Sequence, residues 1–173
     1  MSSPTHITAN HDDHVIALFA ALAITIHIAE AALPSPLPGI KPGFANIITL
    51  YVMLQYGWRT AVWVSLLRVL GASLLLGTFL SPTFILSLSG ALASLMVLGL
   101  MFHLPRQPFG PVGYACLAAL AHMAAQFFSA YFLFMPHPAL LALLPILMTS
   151  ALISGGLGGI LTSMTLNRLN NRS

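Results

Sequence analysis

Charge is the scarcest property of this sequence. Of 173 residues only 5% are Asp, Glu, Lys or Arg, 58% are hydrophobic, and the mean hydropathy is +0.92. An ordinary soluble domain carries about a quarter charged residues, so a chain this poor in charge cannot cover a water-facing surface and its solvent must be lipid. The charges are few enough to name: Asp12, Asp13, Glu30, Lys41, Arg59, Arg68, Arg106, Arg168 and Arg172. Three carboxylates, two of them adjacent near the N-terminus, exclude a two-metal carboxylate site. The pI of about 9.5 arises from six cations scattered along the chain, with no clustered patch of the kind nucleic acid requires, so no nucleic-acid partner is expected. The one cysteine, Cys116, lies in an apolar run; it excludes a disulfide framework and a thiolate zinc site and reads as buried packing. There is no P-loop pattern, so any ATP-driven process needs separate ATPase subunits. Nor is there a Cys-x-x-Cys-His run for covalent haem. No Lys or Arg precedes the first apolar stretch, which argues against a cleaved signal peptide and leaves that stretch as a first membrane span.

What is present is a series of long apolar runs divided by Pro, Gly and charge. A spanning helix needs about 20 mostly apolar residues, and the breaks predict six spans near 14–33, 40–56, 60–77, 83–103, 112–134 and 139–166. The second is short and the sixth is Gly-rich. The expected fold is therefore all-α, a polytopic six-helix membrane bundle in one domain (14–166) between a polar leader (1–13) and a polar, basic tail (167–173). Six spans put both termini on the same side as Arg59, Arg106, Arg168 and Arg172 and leave only Lys41 opposite. That asymmetry places both termini in the cytoplasm. In the leader, Asp12 or Asp13 is suited to cap the first helix, where negative charge meets the helix dipole. His6, His11 and His14 beside them match no metal-binding spacing, so neither a metal nor a cofactor is expected.

Ionisable groups inside spans are expensive and usually face a cavity or a partner. His27 and Glu30 are i and i+3 on the first helix and share a face near its outer end. Arg68 follows the interfacial Arg59 by nine positions, about 13 Å deep at 1.5 Å per residue, close to the midplane of a hydrocarbon core about 30 Å thick. His122 and Gln126 are i and i+4 on the fifth helix at similar depth. Ser87 and Ser89 add hydroxyls on the fourth, and Asn46 an amide on the short second one. Either Arg68 and Glu30 merely neutralise each other while the rest tie helices together, or these groups line a binding cavity. A purely structural bundle could have used Leu, which favours the cavity. The serines alone decide nothing, because each can bond a carbonyl one turn back in its own helix.

The connection 33–43, LPSPLPGIKPG, holds four prolines and the only outer cation, Lys41. It reads as a semi-rigid lid suited to capture of a partly anionic solute, or equally as an ordinary Pro-rich turn. Small residues mark close helix contacts: Ala17 and Ala21 on the first helix, and Gly155 and Gly159 within SGGLGG on the sixth. The glycines suit tight packing within the chain or a surface for a partner.

The runs GIKPGFANIITL (39–50), LLRVLGASLLLGTFLSPTFILSLSGALASL (66–95) and AHMAAQ (121–126) resemble a bacterial family labelled heptaprenyl diphosphate synthase component I, or "Gx transporter", over most of the chain from about 24 to 159. That family in turn resembles the substrate-binding S components of energy-coupling factor (ECF) vitamin transporters. The resemblance implies a six-helix bundle in the bacterial inner membrane that captures a solute beneath its first loop. It also implies docking of a small-residue face of the first helix, here Ala17 and Ala21, onto a coupling subunit.

The two labels imply different roles. Prenyl transferases hold diphosphate through magnesium on D-D-x-x-D motifs, whereas this chain offers only Asp12 and Asp13 in its leader. It is therefore expected to be non-catalytic. One role is a solute-binding transport component, with ECF-type coupling and ATPase subunits as partners and Asn46, Arg68, His122 and Gln126 holding the substrate. By resemblance that substrate is flavin- or isoprenoid-related. The alternative is a non-catalytic accessory membrane subunit of prenyl diphosphate or quinone biosynthesis, presenting a lipid-like substrate to a soluble prenyl transferase. A third, a redox-complex subunit with a His pair on haem, has only His27 and His122 inside spans, at different expected depths.

Overall fold

Every element in the computed structural model is a helix; it describes residues 11–32, 46–104 and 110–170. In chain order they are α1 (His11–Ala31), α2 (Asn46–Tyr56), α3 (Trp58–Leu75), α4 (Pro82–His103), α5 (Pro111–Leu133), the single turn α6 (Pro138–Leu141) and α7 (Leu144–Asn170). Among the described residues five stretches are long and apolar enough to cross a membrane: α1, α3, α4, α5, and α6 with α7 taken together. The chain is thus a multi-pass membrane protein. Its outward side chains agree: Leu18, Trp63, Leu75, Met96, Phe132 and Ile153 are each more than half exposed, which suits a helix surface solvated by lipid tails.

α2 differs from the other long helices. Its 11 residues rise about 16 Å, half of a hydrocarbon core. Residues 40–45 of the expected second span, and the whole 33–43 loop with Lys41, lie outside the described residues. Three boundaries are corrected. The expected sixth span, 139–166, is interrupted at 142–143, because Pro145 has no N–H for the Leu141 carbonyl and its ring blocks a continuous helix there. α7 then runs on to Asn170, so the tail from 167 begins as helix. α1 starts at His11, which puts Asp12 and Asp13 inside its first turn instead of at its cap, still favourable to the dipole.

The turns follow local chemistry. α2 passes to α3 through Gly57 at φ 90°, a left-handed conformation that favours glycine. α3 closes with a Schellman motif: Gly77 has φ 65°, the Thr78 N–H donates to the Ser73 carbonyl (2.8 Å), and the Gly77 N–H donates to that of Leu74 (3.2 Å). α4 opens with Ser81 as N-cap, its hydroxyl accepting from the Phe84 N–H, and Pro82 in the first turn.

α5 is the central staff, packed along α4 on one side and α7 on the other, while α3 packs on α1, α2 and α4. Three apolar clusters result among the described residues. One joins Leu50, Val52 and Met53 of α2 with Val64, Leu98 and Tyr114; a second joins Met123 and Phe127 with Leu86, Leu147 and Ala151; a smaller third joins Val69, Phe84 and Ala91. Gly155 and Gly159 lie against the α5 backbone. A Cβ on Gly159 would stand 2.5 Å from Val112 Cα, and one on Gly155 would stand 2.9 Å from the Ala115 carbonyl oxygen. That face of α7 is occupied from within the chain.

Candidate functional site

The tight α2–α3 hairpin sets the site. Asn46 precedes Gly57 by eleven positions and Arg68 follows it by eleven, so two antiparallel helices folded at Gly57 bring these residues to the same depth. The Arg68 Nη1 donates to Asn46 Oδ1 at 3.0 Å, and Nη2 lies a long 3.5 Å from the Ser65 hydroxyl one turn back. Arg68 is 1% exposed and Asn46 8%. Glu30 on α1, itself buried, lies within electrostatic reach of Arg68.

α5 supplies the facing wall. His122 and Gln126, one turn apart, bond through Gln126 Nε2 and His122 Nε2 at 3.0 Å. With the amide nitrogen so placed, the imidazole accepts at Nε2 and carries its proton on Nδ1. Gly90 of α4 makes room for this pair: a Cβ there would stand 2.8 Å from His122 Cε1 and 2.9 Å from Gln126 Cγ. His122 Nδ1 lies against the Gly90 backbone, too poorly aligned for a regular hydrogen bond. Arg68 and His27 both act electrostatically on His122, which joins α1, α3 and α5 at one place.

Four polar atoms of this centre have no hydrogen-bond partner of good geometry among the described residues: Asn46 Nδ2, Thr49 Oγ1, Arg68 Nε and His122 Nδ1. As oriented, the three nitrogens are donors, and the hydroxyl can donate or accept. An unsatisfied buried donor costs about 1–3 kcal/mol, more when charged, so the centre is complementary to a ligand rich in acceptors. Beside Asn46 a small cavity of about 20 Å³, room for a single water, lies between α2, α5 and α7, bounded by Ala118, Ala119, Ser154 and Gly155.

The structure thus gathers His27, Glu30, Asn46, Arg68, His122 and Gln126 into one neighbourhood, including the two histidines that helix position alone set at different depths. Ser87 is buried on α4, while the Ser89 hydroxyl returns to the Leu86 carbonyl at 2.9 Å and is used within its own helix. Ala17 and Ala21 lie on the exposed face of α1. Lys41 lies outside the described residues. Among the described residues no group of three or more His, Cys, Asp or Glu side chains suits a metal.

Sequence reasoning passed over Ser65, Thr49, Gly90 and Ser154. Ser65 and Thr49 had a signal, standing three positions from Arg68 and Asn46 on the same helix faces. Gly90 had none, because what it contributes is room for side chains of another helix.

The family model for heptaprenyl diphosphate synthase component I matches residues 19–165. This chain belongs to that family. The match takes in α1 from Phe19, every helix that builds the polar centre, and nearly all of α7. No curated protein and no solved structure matches. As a component I the chain is non-catalytic, and the description implies further components of the synthase.

Proposed function

We propose that the chain is the membrane-embedded binding component of a solute transport system, holding a small molecule with an anionic, acceptor-rich group at Asn46, Arg68, His122 and Gln126. The observation that carries this is the wholly buried Arg68 at the middle of α3, near the Asn46 amide and the His122 ring, whose Nδ2 and Nδ1 have no partner of good geometry among the described residues. A buried charge is retained at a cost of several kcal/mol unless it is compensated; Glu30 lies within electrostatic reach of Arg68, and a pair that served structure alone could have been replaced by apolar side chains at no loss of stability. Arg68 supplies the fixed charge, and the Asn46 amide and the His122–Gln126 pair orient the group by hydrogen bonds.

In this proposal residues 40–45 complete a sixth span, both termini lie in the cytoplasm of the bacterial inner membrane, and the bundle is of the ECF S-component kind, with Ala17 and Ala21 facing a coupling subunit. The test is to purify the chain in mild detergent, identify the copurifying small molecule by mass spectrometry, and measure its affinity in Arg68→Ala and His122→Ala. Weakened binding in both is expected; unchanged affinity in both sinks the site.

The family description favours a second reading, an accessory subunit that presents a lipid-like substrate to a soluble prenyl transferase. It predicts a stoichiometric complex with such an enzyme in a pull-down from membranes, which the transport role does not require.

A further inference from the structure

Among the described residues the Asn46 amide is bonded on one side and open on the other. Its Oδ1 accepts from Arg68 Nη1 at 3.0 Å, while its Nδ2 has no partner of good geometry, although the residue is buried. The small cavity between α2, α5 and α7 is lined by Asn46 and not by Arg68. The two branches of a planar amide diverge, so the oxygen that reaches Arg68 points away from this cavity and the nitrogen turns towards it.

The opposite walls supply acceptors. Ser154 of α7 is buried and lines the cavity, and its hydroxyl donates to the Ala151 carbonyl at 3.1 Å. A hydroxyl oxygen that donates still carries lone pairs that accept. Ala115 of α5 lines the cavity as well. Its carbonyl oxygen is laid open towards α7 because Gly155 has no side chain; a Cβ there would stand 2.9 Å from it. A backbone carbonyl has a second lone pair beyond its helical bond.

At about 20 Å³ the space takes one water. One donor facing two acceptors selects the same species by chemistry. A small anion would suit the amide N–H but be repelled by both oxygens. A small cation would suit the oxygens but meet the N–H. Water accepts from the one and donates to the other two.

We infer that this cavity is the binding site of one structural water, which accepts from Asn46 Nδ2 and donates to Ser154 Oγ and the Ala115 carbonyl, and that Ser154 is thereby a positioning residue for Arg68. The inference rests on the proposed binding centre and adds to it a member on α7. Ser154 acts through the water on the Asn46 amide, and the amide acts on the guanidinium. Held at both ends, the amide keeps its oxygen on Arg68; turned over, it would set N–H against the guanidinium donors. The amide nitrogen carries two hydrogens, so one on the water leaves the other for the ligand.

The test is pulsed X-ray hydroxyl-radical labelling of the full chain in mild detergent, in which a bound water oxidises the buried side chains that touch it. Leu50 lines the cavity and is 1% exposed, whereas Val64 and Leu98 are as deeply buried and do not line it. Mass spectrometry should find Leu50 labelled severalfold above those two. Ser154→Ala should bring Leu50 down to their level and weaken affinity for the copurifying molecule roughly tenfold, the equivalent of one hydrogen bond. Ala118→Val fills the cavity from α5 with Ser154 intact, so it serves if the first variant does not fold; labelling and affinity should fall there too. Leu50 labelled no more than Val64 and Leu98, or labelled equally in both variants, overturns the water site. Labelling lost in Ser154→Ala with affinity unchanged overturns the positioning role. Affinity indifferent to Arg68→Ala marks failure of the binding centre itself, and the labelling still decides the water.

Discussion

Gly90 and Gly159 both let a helix approach α5, and comparing them separates what holds this bundle together from what it is built to hold. At Gly159 the missing Cβ admits the neighbouring main chain: Val112 Cα would be 2.5 Å away and the Pro111 carbonyl oxygen 3.1 Å. Backbone cannot step aside, so the α5–α7 seam at Gly159 is a closed van der Waals contact. At Gly90 the missing Cβ admits side chains, the His122 ring and Gln126 Cγ, and the region around them keeps donors in reserve. The same residue type thus admits backbone in one place and buried polar side chains in the other. Tight packing by itself is no mark of function; the unused hydrogen-bonding capacity beside it is.

The comparison breaks most readily at the seam. Gly159→Leu should force α5 and α7 apart and destabilise the protein by about 3 kcal/mol, the upper end of what overpacking costs, read as a fall in melting temperature in detergent. If the melting temperature does not move, the seam is not the rigid contact described. Arg68→Leu should behave in the opposite manner, lowering ligand affinity by on the order of a hundredfold or more while leaving ligand-free stability unchanged or raised, as when a buried charge gives way to an apolar side chain. A large loss of stability there instead would make Arg68 a structural strut. Gly90→Ala should fall between them. Displacing His122 and Gln126 should cost about 1 kcal/mol in stability and weaken binding measurably, and calorimetry with the copurified ligand gives both. The smallest effect is expected at Ala17→Leu with Ala21→Leu. Both side chains are exposed on α1, so stability should shift by no more than about 0.5 kcal/mol and ligand affinity not at all. Only assembly with a partner subunit should suffer, measured by co-purification from membranes.

Much of the site was legible residue by residue. Arg68, Asn46, His122, Gln126 and Glu30 announced themselves as polar groups in runs that lipid would reject, and helical spacing put His122 beside Gln126. The partnership of Asn46 with Arg68 was not legible, because their equal distance from Gly57 matters only once that glycine is known to fold two helices back on each other. Nor was the electrostatic influence of His27 on His122, which depends on how α1 leans against α3. The role of Gly155 and Gly159 was open between an internal and an external partner, and only the position of α5 decides it. The break before Pro145 was readable in principle from the missing N–H, yet the surrounding apolar run masked it.

By itself the sequence determined the solvent and the element type. With 5% charged residues the chain can be solvated only by lipid, and in lipid the backbone must satisfy its own hydrogen bonds, which helices do segment by segment. Tertiary structure alone decided which polar groups meet, which glycines face backbone and which face side chains, and that Asn46 and Ser154 line one water-sized cavity. Those outcomes depend on the tilt, depth and order of helices whose surfaces are apolar on all sides, and a pattern without a polar face carries no instruction about which side turns inward.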